Sequence, residues 1–120
     1  MKPYQDARLE GEKLAKQYAE LEKADQVDFF NGSEAYYSVL GHNKKQEAIA
    51  VLIEKNDHKI YVYQLDKGIS QDKAATISRE KGASDIDKVT FGRYQDKPIW
   101  EVKSGNQYYL VDFETGAVIQ

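Results

Sequence analysis

The chain has 120 residues, 41% hydrophobic and 31% charged, so it is long enough for one domain or two small ones and can form a core. Its 17 basic and 20 acidic residues give a net charge of −3 with scattered lysines, which argues against a nucleic-acid partner. Cysteine is absent, which excludes disulfides, cysteine-ligated metals and thiol nucleophiles.

No apolar run approaches the roughly 20 residues that a membrane-spanning helix needs. The first residues also lack the pattern of a secretory leader. The chain as given is therefore expected to be soluble. Two interpretations of its beginning stay open, because Met1 could be the native start or a start placed after a removed anchor.

The first half of the chain predicts one helix followed by four antiparallel strands. Apolar residues recur at helical spacing from Gln5 to about Ala24, with Glu and Lys on the opposite face. Asn31-Gly32 between apolar runs is a strong hairpin signal, and Gly41 to Lys45 predicts a second turn. The strands are expected at residues 26–30, 35–40, 48–54 and 59–64.

The second half predicts a shorter helix and three further strands. The polar stretch Leu65 to Gly68 breaks the pattern, and we place a domain boundary there. Ser70 is a good N-cap, and Gly82 is a natural residue to follow the helix. The strands are expected at residues 86–91, 98–102 and 108–113, followed by a turn in which Gly116 takes a positive φ.

The two halves align with each other. Val27-Asp28-Phe29 matches Val89-Thr90-Phe91, Tyr36–Val39 matches Ile99–Val102, and Ile49–Glu54 matches Tyr109–Glu114. The inward positions agree in all three pairs of segments. The pattern therefore favours an α+β fold made of two copies of one unit, in which an antiparallel sheet curls around a single helix.

The sequence resembles a known family in both halves. The second half is similar to a PepSY domain through a capped helix with an inner alanine, a Trp-Glu-Val strand, and a Tyr-x-Val-Asp strand ending in Thr-Gly. These features lie at residues 68–77, 99–102 and 108–118. The first half, with its long helix and the segment from Phe29 to Val39, is similar to the N-terminal domain of TseB-like cell-wall elongation regulators.

The resemblance implies two tandem cystatin-like domains, an N-terminal one at residues 1–65 and a PepSY-like one at residues 66–120. It also implies a non-enzymatic module without cofactors, held outside the cell by a single N-terminal membrane helix that this chain lacks. The implied partner is a penicillin-binding transpeptidase or another cell-envelope protein. The alternative implied by the PepSY resemblance is an inhibitor of a secreted or membrane peptidase.

Candidate catalytic and metal-binding residues are few. Glu101 and Asp112 lie on neighbouring strands, but their alternation with apolar residues places both on the outer, wet face, where a carboxylate pair is seldom catalytic. His42 and His58 fall in predicted turns without a second ligand at metal-binding spacing. We therefore expect no catalytic residue and no metal site.

Aromatic residues carry the prediction of a binding surface. The chain contains 9 Tyr, 4 Phe and 1 Trp, and a tyrosine tolerates partial exposure because its hydroxyl group can stay hydrated. Outward positions predict a protein-binding face, and packing between the two halves is the competing use of the same side chains. The candidate residues are Phe30, Tyr36, Tyr61, Tyr63 and Tyr108.

Overall fold

The computed structural model describes residues 3–119, and side-chain burial is described for residues 9–119. The chain divides into two compact units, the first ending at Gln64 and the second beginning at Leu65. Each unit contains an α-helix and an antiparallel sheet, so the predicted α+β class is confirmed. No helix in the described part of the chain is both long and apolar enough to cross a membrane.

Unit 1 is a helix packed on one face of a four-stranded meander with strand order β1-β2-β3-β4. Its elements are α1 (Pro3–Tyr18), β1 (Leu21–Asn31), β2 (Ala35–Asn43), β3 (Ala48–Glu54) and β4 (Ile60–Gln64). Small side chains at the end of the helix allow close approach to the sheet. Ala15 in α1 and Ala19 just after it join Val39, Val51 and Ile53 in the core. The core of this unit therefore lies between α1 and the middle of the sheet.

The first helix ends at Tyr18, six residues before the predicted boundary at Ala24. Glu20 has a φ of 57°, a left-handed conformation that a helix interior does not accept. Leu21 is buried and already belongs to β1, which has register shifts between Leu21 and Lys23 and between Ala24 and Gln26. An apolar residue at position 21 fits both the helical and the strand period, which explains the wrong boundary.

The predicted turn at Gly41–Lys45 is also misplaced, because β2 continues to Asn43. Asn43 closes the actual turn by accepting backbone hydrogen bonds from Lys45 at 2.9 Å and Glu47 at 3.0 Å through its Oδ1 atom. Gly41 lies within the strand, where a Cβ atom would come 2.0 Å from the carbonyl oxygen of Lys23. This glycine permits close packing of two strands and does not form a turn.

Unit 2 is a shorter helix packed on a three-stranded meander with strand order β5-β6-β7. After a 3₁₀ turn at Leu65–Lys67 come α2 (Gln71–Glu80), β5 (Lys88–Tyr94), β6 (Lys97–Ser104) and β7 (Gln107–Asp112). The predicted cap is confirmed, since the Ser70 hydroxyl accepts a hydrogen bond from the backbone of Lys73 at 3.0 Å. Gly82 follows the helix with a φ of 115°.

Three aromatic rings form the centre of unit 2. The Phe91 ring lies edge-on to Trp100 at 4.9 Å and to Phe113 at 5.2 Å between centroids. The Trp100 indole Nε1–H donates to the carbonyl oxygen of Ile69 at 3.0 Å, which ties the segment before α2 to the middle strand. Such edge-to-face contacts add to the stabilisation that comes from burial.

The end of the chain turns back along β7. Gly116 takes the predicted positive φ, 82°, and Asp112 Oδ1 accepts backbone hydrogen bonds from Glu114 at 2.8 Å and Thr115 at 3.1 Å. The returning segment pairs with β7 through Ile119, whose N–H donates to the Leu110 carbonyl at 2.7 Å. We call residues 117–119 the C-terminal tail.

Replacement of Gly68 tests the packing of the segment before α2. A Cβ atom at this position would lie 2.3 Å from the Phe113 carbonyl oxygen and 2.7 Å from its ring. Because the backbone must shift to make room, Gly68→Ala should lower the free energy of unfolding by roughly 2–4 kcal/mol. The measurement is urea unfolding followed by the fluorescence of Trp100, the single tryptophan of the chain.

Gly105→Ala is the matched control for this variant. Gly105 has a φ of 62°, and no atom lies within 4 Å of the position that a Cβ atom would take, so only backbone strain of about 1 kcal/mol is expected. Equal destabilisation by the two alanines would contradict the steric explanation at Gly68.

Candidate functional site

Four of the five predicted aromatic residues share one face of the sheet in unit 1. This face, which we call the aromatic face, carries Phe30, Tyr36, Tyr61 and Tyr63 and lies opposite the face packed against α1. The Tyr36 ring is 6.3 Å from the Phe30 ring and 6.3 Å from the Tyr61 ring, measured between centroids. The structure therefore brings three rings from three strands into contact.

The predicted exposure of this face is wrong for two of its residues. Phe30 is only 2% exposed and Tyr36 only 3%, while Tyr61 and Tyr63 are half-buried. Leu52, on the same face, is fully buried. The physical reason is that strand alternation determines which side chains share a face but does not determine whether solvent reaches that face.

Tyr108 is the fifth candidate and lies in unit 2, on β7. Its side chain is 54% exposed, the largest fraction among the five candidates. It stands directly across from Lys103 of β6. Tyr18, at the end of α1, is also exposed, at 61%. The helical spacing in the sequence places this residue on the apolar face of the helix.

The candidate carboxylates are more buried than the sequence predicts. Asp112 is only 6% exposed, and its Oδ1 atom accepts the two backbone hydrogen bonds of the final turn. Glu101 is half-buried on the same face, and Leu110 lies directly across from it, so the two carboxylates are diagonal neighbours. Burial raises the pKa of Glu101 above its usual value of 4.5, and the nearby ammonium of Lys88 opposes that rise. The prediction of hydrated carboxylates is therefore wrong.

The two histidines have different environments. His42 lies in β2 and not in the predicted turn, and its Nδ1 atom is 2.9 Å from Asp25 Oδ2. His58 lies in the turn before β4, exposed and with a φ of 56°. Among the described residues, no group of three or more His, Asp or Glu side chains is arranged to hold a metal ion.

Unit 1 also contains a cluster of charged and aromatic side chains that the sequence pattern does not predict. The Lys55 ammonium lies 5.0 Å from the centroid of the Phe29 ring and 5.6 Å from that of the Tyr37 ring. The Tyr37 hydroxyl donates to Glu10 Oε2 at 3.2 Å, and burial followed by the charge of Glu10 raises the pKa of Tyr37. The hydrogen bond from Tyr37 to Glu10 joins the sheet to α1. The contacts of Lys55 with the two rings add a cation–π interaction beside it.

A family model and a curated relative are similar to this chain. A family model described as "Cell wall elongation regulator TseB-like domain" matches residues 10–54. A curated relative from Bacillus subtilis (strain 168), the "Probable cell wall elongation regulator TseB", is 39% identical over 114 residues. That match covers 88% of this chain and 70% of the relative.

A solved structure extends the likeness to three dimensions. The YpmB protein from Bacillus subtilis superposes with a TM-score of 0.79 at 34% sequence identity. The superposition covers 96% of this chain and 95% of the YpmB chain. Together with the sequence match, this similarity shows that the chain belongs to the family of TseB-like cell wall elongation regulators.

Proposed function

We propose that this protein is a non-enzymatic regulator of cell-wall elongation that acts outside the cell by binding a penicillin-binding transpeptidase. The observation that carries the proposal is the 39% identity, over 114 residues, with a relative named as a probable cell wall elongation regulator. The resemblance of the second half to PepSY domains agrees with a binding role. In this proposal a single N-terminal membrane helix holds the protein at the cell surface.

In this proposal the two units are tandem cystatin-like domains, with the PepSY-like domain second. Support comes from their shared order, since each has a helix followed by an antiparallel meander. Corresponding positions are also buried, as illustrated by Tyr37 and Trp100 in the second strand of each meander. Val51 and Val111 match in the same way in the third strand.

The partner is expected to contact accessible tyrosines, because tyrosine is enriched at protein interfaces and at their energetic hot spots. Tyr108 on unit 2 is the most exposed candidate, and Tyr61 and Tyr63 on unit 1 are partly accessible. Phe30 and Tyr36 are buried, so in this proposal they do not contact the partner. Phe30 packs against Tyr36, and Tyr36 packs against the partly accessible Tyr61 ring.

The carboxylates support a non-enzymatic role. A general acid and a general base need carboxyl groups that are free to exchange protons with a substrate. Asp112 instead uses an oxygen to hold the backbone of the final turn, and Glu101 is half-buried with Leu110 directly across from it. Both carboxylates are therefore assigned to the fold.

Capture of the partner tests the proposed function. The chain is immobilised and exposed to detergent-solubilised bacterial envelope, and retained proteins are identified by mass spectrometry. We expect a penicillin-binding transpeptidase to be retained, with Tyr108→Ala reducing its amount by about tenfold or more, as for a hot-spot residue. Because Tyr108 is 54% exposed, this variant should keep the parent's stability.

Tyr18→Ala is the control, since it removes an aromatic ring of similar exposure, 61%, from unit 1. It should leave capture unchanged. Retention of a secreted peptidase in place of a transpeptidase would support the inhibitor alternative. Failure to enrich any transpeptidase would contradict the proposed function.

Glu101→Gln tests the structural assignment of that carboxylate. Because burial raises its pKa, folding favours the protonated form, and the parent loses stability as pH rises from 4.5 through the pKa of the folded state. The glutamine side chain of the variant carries no charge, so the variant should match the parent near pH 4 and exceed its stability near pH 7. Urea midpoints followed by Trp100 fluorescence at the two pH values provide the measurement.

Glu114→Gln serves as the control, because Glu114 is exposed and its neutralisation should have little effect at either pH. Lower stability of Glu101→Gln than of the parent near pH 7 would contradict the assignment. It would mean that attraction to Lys88 outweighs the cost of burying the charge.

A further inference from the structure

A row of three exposed side chains crosses one end of the sheet in unit 2. Lys88 of β5 stands directly across from Lys103 of β6, and Lys103 stands directly across from Tyr108 of β7. Directly opposed residues of antiparallel strands share a face, so the three side chains project together. All three are exposed, and we call this set the basic row.

The backbone geometry brings Lys103 and Tyr108 especially close. The Leu110 carbonyl points away from β6, because it accepts a hydrogen bond from Ile119 in the C-terminal tail. Tyr108 is two residues earlier on the same strand, so its N–H and C=O also point to the outer edge. Tyr108 and Lys103 therefore form a non-hydrogen-bonded pair, the kind in which opposed side chains approach most closely.

The row concentrates positive charge in a chain whose net charge is −3. Like charges directly opposite each other on neighbouring strands destabilise a sheet. The Lys88 ammonium group attracts the carboxylate of Glu101, and this attraction partly offsets its positive charge. Lys103 forms no ion pair with any of residues 9–119.

The Asp87 backbone N–H donates to the Lys103 carbonyl at 2.8 Å, but the Asp87 carboxylate forms no ion pair with Lys103. Asp87, next to Lys88, uses its Oδ2 atom to accept a hydrogen bond from the backbone of Gly105 at 2.8 Å. The turn that joins β6 to β7 contains Gly105 and Asn106, which are uncharged. Lys103 therefore faces a like charge and has no ion-pair partner among residues 9–119, so its ammonium group is available to an acidic partner.

We propose that the basic row docks an acidic, extended segment of the partner protein. A carboxylate of that segment pairs with Lys103, beside Lys88, and an apolar part of the segment covers the Tyr108 ring. The outward N–H and C=O of Tyr108 give an extended backbone a place to form hydrogen bonds at the edge of β7. This inference rests on the proposed function, because it names the surface and the chemistry through which the regulator contacts its partner.

A short polyglutamate peptide is the probe for the first experiment, and polyglutamine of equal length is its neutral counterpart. Amide chemical shifts of the whole chain are followed by NMR during titration. Polyglutamate should shift the signals of Lys88, Lys103 and Tyr108, whereas polyglutamine should not. Since surface attractions are screened by salt, the affinity should fall as sodium chloride is raised.

Lys103→Glu should weaken polyglutamate binding by about tenfold or more, because a like-charge contact replaces an attraction. Lys44→Glu is the matched control: it makes the same change of net charge in an exposed turn of unit 1. Lys103→Gln removes the charge without reversing it and should give an intermediate loss. An equal loss in the Lys44 variant, or shifts that avoid the row, would overturn the proposal.

The second experiment repeats the transpeptidase capture with Lys103→Glu and Lys44→Glu, after Trp100 fluorescence has shown that both variants are folded. Capture lost only in the Lys103 variant supports the proposal. Capture retained in that variant overturns the docking surface and leaves the regulator function in place. Binding of polyglutamate to the row without capture of any transpeptidase by the parent chain rejects the proposed function alone.

Discussion

The central strands of both sheets are buried on both faces, and the rest of the structure depends on this constraint. In β3 the consecutive residues Ala50 to Ile53 are all fully buried, although successive side chains of a strand point to opposite faces. In β6, Ile99 and Trp100 are buried in the same way. Each of these side chains must therefore fit a packed environment, and few positions in the middle of either sheet are accessible to a partner.

This constraint confines accessible chemistry to strand ends and sheet edges. Tyr61 and Tyr63 lie on β4, an edge strand, while Lys103 and Tyr108 lie beside the turn that joins β6 and β7. Asp112 illustrates the opposite case, because a buried carboxylate must be satisfied and here it holds the final turn. The interior of both sheets therefore serves to maintain the fold.

The elements themselves could be predicted because their signals are local. Ser70, Gly82 and Gly116 act through their own backbone neighbours, and the structure places each where the sequence indicated. Gly41 could not be interpreted correctly, since its role depends on the Lys23 carbonyl of another strand. The burial of Phe30 and Tyr36 did have a signal, because the unbroken apolar run from Ile49 to Ile53 is typical of a strand covered on both faces.

The C-terminal tail has a consequence for the behaviour of the protein at high concentration. An exposed sheet edge is a template for pairing with a strand of another molecule and so for aggregation. Two hydrogen bonds with the tail occupy the outer edge of β7: Ile119 N–H donates to the Leu110 carbonyl, and Asp112 N–H donates to the Ala117 carbonyl. The tail thus protects the part of this edge at Leu110 and Asp112 from self-association.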